Sequence, residues 1–344
     1  MDLDVDGSLP HDLSGRYLCI GPARRPKAVH AIELGGGEAI SYRRRAIDSE
    51  DNEESGEALL EFAGRLLALS DGSPAHELST DLHTVGRVDL AGRARGIGAH
   101  PKLDRQSGGL YLLSSPGSTT PLLHAISPGG LTRRTRSVDG APAAVHDLAL
   151  TASHVVLKAD PFIGISRRDE DDAWSWHATG ATSPFALVSA YDDGDSVVVH
   201  ATTPALERWN VQRDNAAVDR SVIDADPQSF GRINDRRAGL PHRYLYSVEH
   251  LGGSVLKHDL VTGARTRHDA GGARRCGQFL FAPDAQRRTD EDGGWLLGLV
   301  NDDSDHTNLV VLDAADLAFP AIAAVRLPRP LPRGLHGLWS PTPL

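Results

Sequence analysis

The chain has 344 residues with a formal net charge of −10, and 40% of its residues are hydrophobic. That length accommodates either two ordinary domains or one large repetitive β domain. The excess of acidic residues argues against a nucleic-acid-binding surface, because phosphate binding requires clustered Lys and Arg.

The number of cysteines and the first residues of the chain indicate the cellular compartment of the protein. Two cysteines, Cys19 and Cys276, are too few for a disulfide framework, so we expect buried thiols in a reducing cytoplasm. The acidic start, Met1 to Asp6, lacks the basic residues and apolar run of a signal peptide. No stretch approaches the roughly 18 apolar residues of a spanning helix. The sequence therefore predicts a cytoplasmic protein without a membrane span.

Short segments of alternating apolar and polar residues recur along the whole chain. Turns such as Asp193-Gly194 and Thr262-Gly263 separate them. This two-residue period, without a convincing helix longer than about two turns, predicts an all-β fold. The clearest strand candidates are residues 59–62, 65–69, 110–114, 122–126, 155–158, 196–200, 244–248, 255–259, 295–300 and 309–312.

Two later segments predict similar hairpins. Residues 252–263 indicate a hairpin whose inner strand ends at Asp259 and turns at Gly263, and residues 309–317 repeat that pattern. Repeated strand-turn-strand units favour a β-propeller, although the strict period of a solenoid is absent.

Three histidines stand in well-separated segments. His100, His146 and His336 are 46 and 190 residues apart, which excludes a local metal finger. The spacing suits a propeller, because the innermost strand of each blade contributes side chains to one axis. Neutral imidazole is a common ligand of Fe(II) and leaves positions open for dioxygen. The alternative is that these histidines have only a structural role, since the chain has 16 histidines and a single histidine in a strand is usually packed or solvated.

The motifs around these histidines belong to a longer series. It opens with Gly7, Pro10, Leu13, Gly15 and Tyr17, and it ends with the segment 334–339, Gly-Leu-His-Gly-Leu-Trp. Between them lie motifs at 64–69, 100–104, 146–151, 230–234, 243–246 and 281–283. In this order the motifs resemble the carotenoid oxygenases, non-haem iron enzymes that cleave conjugated double bonds. The resemblance implies one seven-bladed β-propeller domain over residues 1–344, closed by the C-terminal strand near His336, with iron on its axis.

The same resemblance implies a metal site formed by His100, His146 and His336. We expect these side chains to converge within a few ångströms on the axis, with nitrogens about 2.0–2.3 Å from a bound ion. The family has a fourth histidine in a Phe-His-x-x-Asn-Ala pattern. Here Ala186 stands at that ligand position and Ser189 replaces the Asn. His177 and His200 lie nearby in the sequence, but neither matches the motif.

Three supporting positions depart from the family as well. Family members hold ligand imidazoles through three glutamates, and the corresponding residues here are Asp71, Ser229 and Gln278. Loss of such a carboxylate commonly lowers metal affinity 10–100-fold. The concerted departures indicate that selection for the usual iron site has relaxed or changed direction.

The chain is also shorter than most members of the family. Residues 22–29 and 161–185 are compressed, where the family builds a cap over the substrate tunnel and a nonpolar membrane-docking patch. Here residues 167–172 are strongly charged. We therefore expect a small apolar or conjugated substrate rather than a long carotenoid extracted from a membrane.

Three functional hypotheses remain open. The first is an Fe(II) oxygenase that cleaves a conjugated C=C bond of a small apocarotenoid- or phenylpropenoid-like substrate with dioxygen. The second is a propeller that has lost oxidative chemistry, and that binds a ligand or catalyses an isomerisation, elimination or cyclisation. The third is a purely structural or interaction propeller, which would not require three intact histidine motifs.

Overall fold

The alternating segments form antiparallel strands arranged in seven sheets. The computed structural model describes residues 3–21, 27–48, 57–71, 73–90, 92, 97–98, 100–115, 120–170, 172–181, 184–213, 217–250, 252–304, 306–332 and 334–341. In this part of the chain one 3-10 turn, Asp235–Arg237, is the only helix, and no helix there is long and apolar enough to cross a bilayer. The predicted all-β fold is confirmed.

The seven sheets are the blades of a β-propeller, as predicted. From the axis outward, blades 1 and 2 contain β29 (His336–Pro341), β2 (Gly15–Ile20), β3 (Ala28–Gly35) and β4 (Glu38–Ala46), then β5 (Ala58–Phe62), β6 (Arg65–Leu69), β7 (Ala75–Leu78) and β8 (Thr84–Val88). Blades 3 and 4 contain β9 (Lys102–Leu103), β10 (Leu110–Ser114), β11 (Leu122–Ile126) and β12 (Thr132–Ser137), then β13 (Asp147–Leu150), β14 (His154–Ala159), β15 (Phe162–Arg167) and β16 (Ser175–Ala178).

The remaining blades follow the same order. Blades 5 and 6 contain β17 (Ala186–Asp193), β18 (Ser196–Thr202), β19 (Leu206–Gln212) and β20 (Val218–Asp224), then β21 (Gln228–Arg232), β22 (Tyr244–Glu249), β23 (Ser254–Asp259) and β24 (Arg265–Asp269). Blade 7 contains β25 (Arg275–Pro283), β26 (Gly294–Asn301), β27 (Thr307–Asp313), β28 (Ala323–Arg326) and, at its outer edge, β1 (Asp4–Gly7).

The innermost strands contact one another around the axis. β29 contacts β5, β13 contacts β17, β17 contacts β21, β21 contacts β25, and β25 contacts β29. Since every blade repeats the same four-strand meander, all innermost strands begin at the same end of the axis. We refer to this end, where the innermost strands begin, as the axial end.

The ring is closed by strands from both terminal parts of the chain. β29 pairs antiparallel with β2, from Gly15 opposite Pro341 to Ile20 opposite His336. β1 pairs with β28 and so extends blade 7. The predicted closure by the C-terminal strand near His336 is confirmed.

One detail of the predicted topology was wrong. The hairpin at residues 252–263 was expected to carry an inner strand, but Ser254–Asp259 is β23, the third strand from the axis. The inner strand of that blade is β21. Alternation and turn residues locate a strand and its turn, but they carry no information on its distance from the axis.

Apolar side chains fill the spaces between neighbouring blades. Seven buried clusters occupy the described part of the chain, one for each pair of neighbouring blades. The cluster between blades 5 and 6 is the smallest, with Leu206, Ile233 and Leu245 as its buried members. Each fully buried leucine or isoleucine contributes roughly 1.5–3 kcal/mol. The interface between blades 5 and 6 therefore depends more than the others on polar contacts.

Ending the chain after Leu335 should abolish cooperative folding. This truncation removes β29, so β2 loses one of its two pairing partners and blade 1 loses its innermost strand. Thermal unfolding followed by near-UV circular dichroism should then show no sharp transition. A control chain that ends at Pro341 retains every described residue and should melt like the full-length protein. An unchanged transition in the shorter chain would contradict the role assigned to β29.

Candidate functional site

The innermost strands bring one candidate residue from each blade to the axial end. His336 opens β29, Glu57 directly precedes β5, His100 lies two residues before β9, His146 directly precedes β13, Ala186 opens β17, Ser229 is the second residue of β21, and Gln278 is the fourth residue of β25. These positions are far apart in the sequence, and the propeller gathers them at one end of one axis.

Three of these strands carry β-bulges at the candidate positions. The register shifts lie between Leu187 and Ser189, between Ser229 and Arg232, and between Cys276 and Phe279. A Cβ added to Gly231 would lie 2.4 Å from Val188 Cγ2, so the bulges of blades 5 and 6 pack directly against each other. Bulges re-aim side chains and are frequent beside active sites.

His100 and His336 come together at the axial end. Their ring centroids are 6.5 Å apart, and the ring planes are inclined by 75°. With a metal–nitrogen distance of about 2.1 Å, a ring centroid lies roughly 3.2 Å from the ion, so two rings that share an ion are at most about 6.5 Å apart. The pair is therefore at the upper limit of separation for joint coordination.

The charge state of His336 suits metal binding. Burial lowers the pKa of His336 below its ordinary value, and His100 and Arg232 lower it further, whereas Glu57 acts in the opposite direction. The imidazole is thus neutral at physiological pH, which is the form that ligates metals.

An ion pair ties the segments of His100 and His146 together. Lys102 Nζ donates to Asp147 Oδ1 at 2.9 Å, and these two residues closely follow the two histidines in sequence. The backbone N–H of His146 donates to the carbonyl of Lys158 at 3.0 Å, which fixes the start of blade 4. The two histidine-bearing strand starts are thereby held side by side.

The three predicted ligands are of a suitable type for ferrous iron, but their side chains are widely spaced. Three imidazoles with a neighbouring carboxylate match the ligand preferences of ferrous iron. The structure brings His100 and His336 together and places His146 at the start of β13. Over the described ranges, no three His, Cys, Asp or Glu side chains are arranged closely enough to hold a metal ion.

Ala186 stands at a firmly anchored strand start. The preceding Phe185 is buried and packs edge-to-face on Trp209, with ring centroids 4.8 Å apart. Lys158 Nζ lies 5.2 Å from the centre of the Phe185 ring. The backbone at residue 186 is therefore well positioned, although its methyl group offers no ligand atom.

Neither neighbouring histidine lies on an innermost strand. His177 lies on β16, the outermost strand of blade 4, where its Nε2 is 3.0 Å from Ser175 Oγ. His200 lies on β18, one strand away from the axis, where its Nδ1 is 3.0 Å from Ser189 Oγ.

His200 belongs to a buried polar cluster between blades 5 and 6. His242 Nδ1–H donates to the carbonyl of Leu240, which leaves its Nε2 to accept from the Ser189 hydroxyl at 3.2 Å. The rings of His200 and His242 are 5.0 Å apart, and both lie about 6 Å from the ring of Tyr191. Sequence reasoning missed this cluster, because His242 comes from another blade. We name Ser189, Tyr191, His200 and His242 the interblade cluster.

Two of the three supporting positions adjoin the histidine segments. Gln278 Oε1 accepts a hydrogen bond from the backbone N–H of Gly337 at 3.0 Å, directly after His336. Asp71 Oδ1 lies 3.7 Å from the position of an added Cβ on Gly98, two residues before His100. Ser229, the third position, lines a cavity described below.

Glu57 is a carboxylate at the axial end that the sequence did not single out. Its Oε2 accepts a hydrogen bond from the Asp71 backbone N–H at 3.2 Å, and its charge acts on His336. In the sequence it appears as the last residue of an acidic run. The sequence feature that could have identified Glu57 is its position directly before the apolar segment at 58–60, which forms the first innermost strand along the chain.

A cavity of about 290 Å³ adjoins the axial end between blades 6, 7 and 1. Ser229, Gln278 and Leu335 are among its lining residues, so it reaches the residue before His336. Phe230, also in the lining, has a φ of 55°. A bulky residue rarely adopts that left-handed conformation, and such backbone strain clusters at binding sites.

The family model for the retinal pigment epithelial membrane protein matches residues 37–204 and 182–341. A carotenoid cleavage oxygenase of Mycobacterium tuberculosis is 26% identical over 99% of this chain and 94% of its own length. The apocarotenoid-15,15'-oxygenase of Synechocystis is 26% identical over 82% of this chain and 71% of its own length. The chain therefore belongs to the carotenoid oxygenase family.

Solved structures have the same fold. The lignostilbene dioxygenase of Pseudomonas brassicacearum superimposes with a TM-score of 0.88 at 20% identity, covering 99% of this chain and 95% of the other. A cobalt-substituted Synechocystis apocarotenoid oxygenase superimposes with a TM-score of 0.86 at 21% identity, covering 98% and 95%. The alignment with the mycobacterial relative extends over 482 positions, so that relative carries long internal insertions that this chain lacks.

The interblade cluster should make the protein acid-sensitive. Burial lowers the pKa of His200 to about 3, and burial lowers the pKa of His242 as well. In the unfolded chain the two imidazoles are protonated below about pH 6.5, whereas in the folded chain they stay neutral to a lower pH. Stability is therefore lost as the pH falls from about 6.5 toward 3, by about 2 kcal/mol for His200 alone between pH 7 and pH 5.

Urea unfolding at pH 7 and pH 5 measures this effect. The His200→Gln variant keeps a side-chain donor for Ser189 and should lose about 2 kcal/mol less between the two pH values than the wild type. The matched control is His11→Gln at an exposed site, which should keep the wild-type difference. If His200→Gln also keeps the full difference, His200 does not contribute to the acid sensitivity.

Proposed function

We propose that the protein is an Fe(II)-dependent oxygenase that cleaves a conjugated C=C bond of a small apocarotenoid- or phenylpropenoid-like substrate with dioxygen. The observation that supports this proposal is the approach of the His100 and His336 rings, whose centroids are 6.5 Å apart, at the axial end where His146 also directly precedes an innermost strand. Fe(II), when bound, would supply the reactivity toward dioxygen that protein side chains lack.

In this proposal the chain's own residues hold and orient the ligand imidazoles. Gln278 fixes the backbone of Gly337, which keeps the start of β29 in place. The pair of Lys102 and Asp147 holds the segments of the other two histidines. Groups that fix ligand orientation in this way commonly change metal affinity 10–100-fold.

The cavity and the relatives support a small substrate. A volume of about 290 Å³ is at the low end of small-molecule sites, which span roughly 300–1,000 Å³. The named relatives act on carotenoids, apocarotenoids or a lignostilbene. We further propose a cytoplasmic location, which the two free, buried cysteines support.

A second candidate function is ligand binding or a non-redox reaction in the same propeller. It is favoured by the charge at the axial end, where Ser229 and Gln278 are neutral and the Arg232 guanidinium acts on His336. A guanidinium near the imidazoles opposes binding of a cation. In this alternative His and Asp side chains would serve as acid and base.

Metal analysis separates the two candidates. Protein purified anaerobically with ferrous iron should retain close to one iron per chain and should consume dioxygen with a hydroxystilbene or an apocarotenal. The variant His336→Ala should lose the iron. If protein purified in this way contains no iron, and binds either compound without oxygen uptake, the second candidate is favoured and the first is contradicted.

Restoring the absent histidine should strengthen iron binding. Ala186→His supplies the imidazole missing from the family pattern, and the gain should stay limited until Ser229→Glu and Gln278→Glu are added, because unsupported imidazoles lose orientation and basicity. Anaerobic Fe(II) titration of wild type, single and triple variants measures this. The control Leu187→His, one residue further along β17, should give no gain. Equally weak binding in all four proteins would refute a relaxed iron site at this axis.

A further inference from the structure

The cavity between blades 6, 7 and 1 has walls suited to a flat conjugated molecule. Tyr17, Phe230, Cys276, Leu299 and Leu335 provide its apolar and aromatic surface. Burial raises the pKa of Tyr17 well above its ordinary value and that of the Cys276 thiol to about 12. Both groups therefore remain uncharged at physiological pH. These walls offer apolar and π contacts.

The polar part of the same cavity is short of negative charge. Glu249 is the one carboxylate among its described lining residues, and its Oε2 is paired with Arg267 Nη2 at 3.5 Å. Ser229 and Gln278, which also line the cavity, are neutral. The cavity therefore lacks a free carboxylate that would repel an anion.

Arg275 supplies positive charge at this cavity. Its Nη1 donates to the backbone carbonyls of Ala273 and Arg274, each at 3.2 Å, and no carboxylate partner is found for it among the described residues. The exposed imidazole of His250 lines the same cavity. Since a guanidinium binds a carboxylate through two parallel hydrogen bonds, Arg275 is suited to an anionic group.

We propose that this cavity binds a small conjugated carboxylate, with Arg275 as the residue that selects the anionic end. The conjugated part lies against Tyr17 and Phe230 and points toward the axial end, because Leu335 and Gln278 adjoin the segment of His336. This inference rests on the proposed function, which it deepens by naming the charge of the substrate.

Equilibrium binding to the metal-free protein tests the proposal, with trans-cinnamate and its neutral analogue trans-cinnamyl alcohol as probes. Isothermal titration calorimetry should show cinnamate binding about tenfold or more tightly than the alcohol, as a charge-assisted hydrogen bond implies. Arg275→Gln should remove this preference and leave the affinity for the alcohol within about twofold. The neighbouring exposed Arg274→Gln is the matched control and should keep the preference.

A second pair of variants keeps the test decisive if Arg275→Gln folds poorly. Ser229→Glu places a carboxylate in the cavity and should weaken cinnamate at least tenfold while sparing the alcohol, whereas Ser229→Gln should spare both. Equal affinity of the wild type for the two probes would overturn the proposal, as would a preference that survives both Arg275→Gln and Ser229→Glu.

The outcomes also separate this proposal from the oxygenase function. Because the binding assay uses metal-free protein, an Arg275-dependent preference for the acid supports the cavity assignment even if iron fails to bind. Iron-dependent oxygen uptake with a neutral alkene, together with no preference for the acid, would overturn the cavity assignment and leave the oxygenase function intact.

Discussion

The pairing of β29 with β2 is the constraint on which the candidate site depends. This register sets Ile20 opposite His336 and thereby completes both blade 1 and the ring of innermost strands. A slip of one residue would turn the His336 side chain to the other face of the strand. The contact between His100 and His336, which are 236 positions apart in the sequence, exists only because the ring is closed in this register. Fold and site are therefore fixed by the same hydrogen-bonded strand pair.

Charge at the axial end links the two proposals. A divalent cation held by neutral imidazoles gains from nearby carboxylates, and here Glu57 opposes the influence of Arg232 on His336. Ser229 and Gln278 are neutral, so they add nothing to the field that favours a cation. The same neutrality lowers the repulsion that an anion would meet in the adjoining cavity. The two proposals therefore share Ser229 and Gln278, whose neutral side chains affect both a cation at the axial end and an anion in the cavity.

Much of the fold was readable from the sequence, whereas the site was readable only in part. Alternation located ten of the 29 strands in the described part of the chain, including the segment 255–259, but it misplaced that strand relative to the axis, because radial position depends on the order of strands in a blade. The number of blades came from the family resemblance rather than from periodicity. Glu57 was missed because an acidic run normally indicates a solvated loop, and the His200–His242 contact was missed because it joins two blades.

Blade 5 combines an alanine at the start of its innermost strand with an unusual interface. Ala186 and Ser189 pair with Thr202 and His200 on the next strand, with the register shift between Leu187 and Ser189, and the Ser189 side chain enters the interblade cluster. The apolar cluster between blades 5 and 6 is the smallest of the seven in the described part of the chain, so hydrogen-bonded neutral imidazoles contribute much of that contact. A fully satisfied polar network gives a unique arrangement, since unpaired buried groups are costly. The innermost strand of blade 5, which begins at Ala186, is therefore held in place by histidines from its own blade and the next.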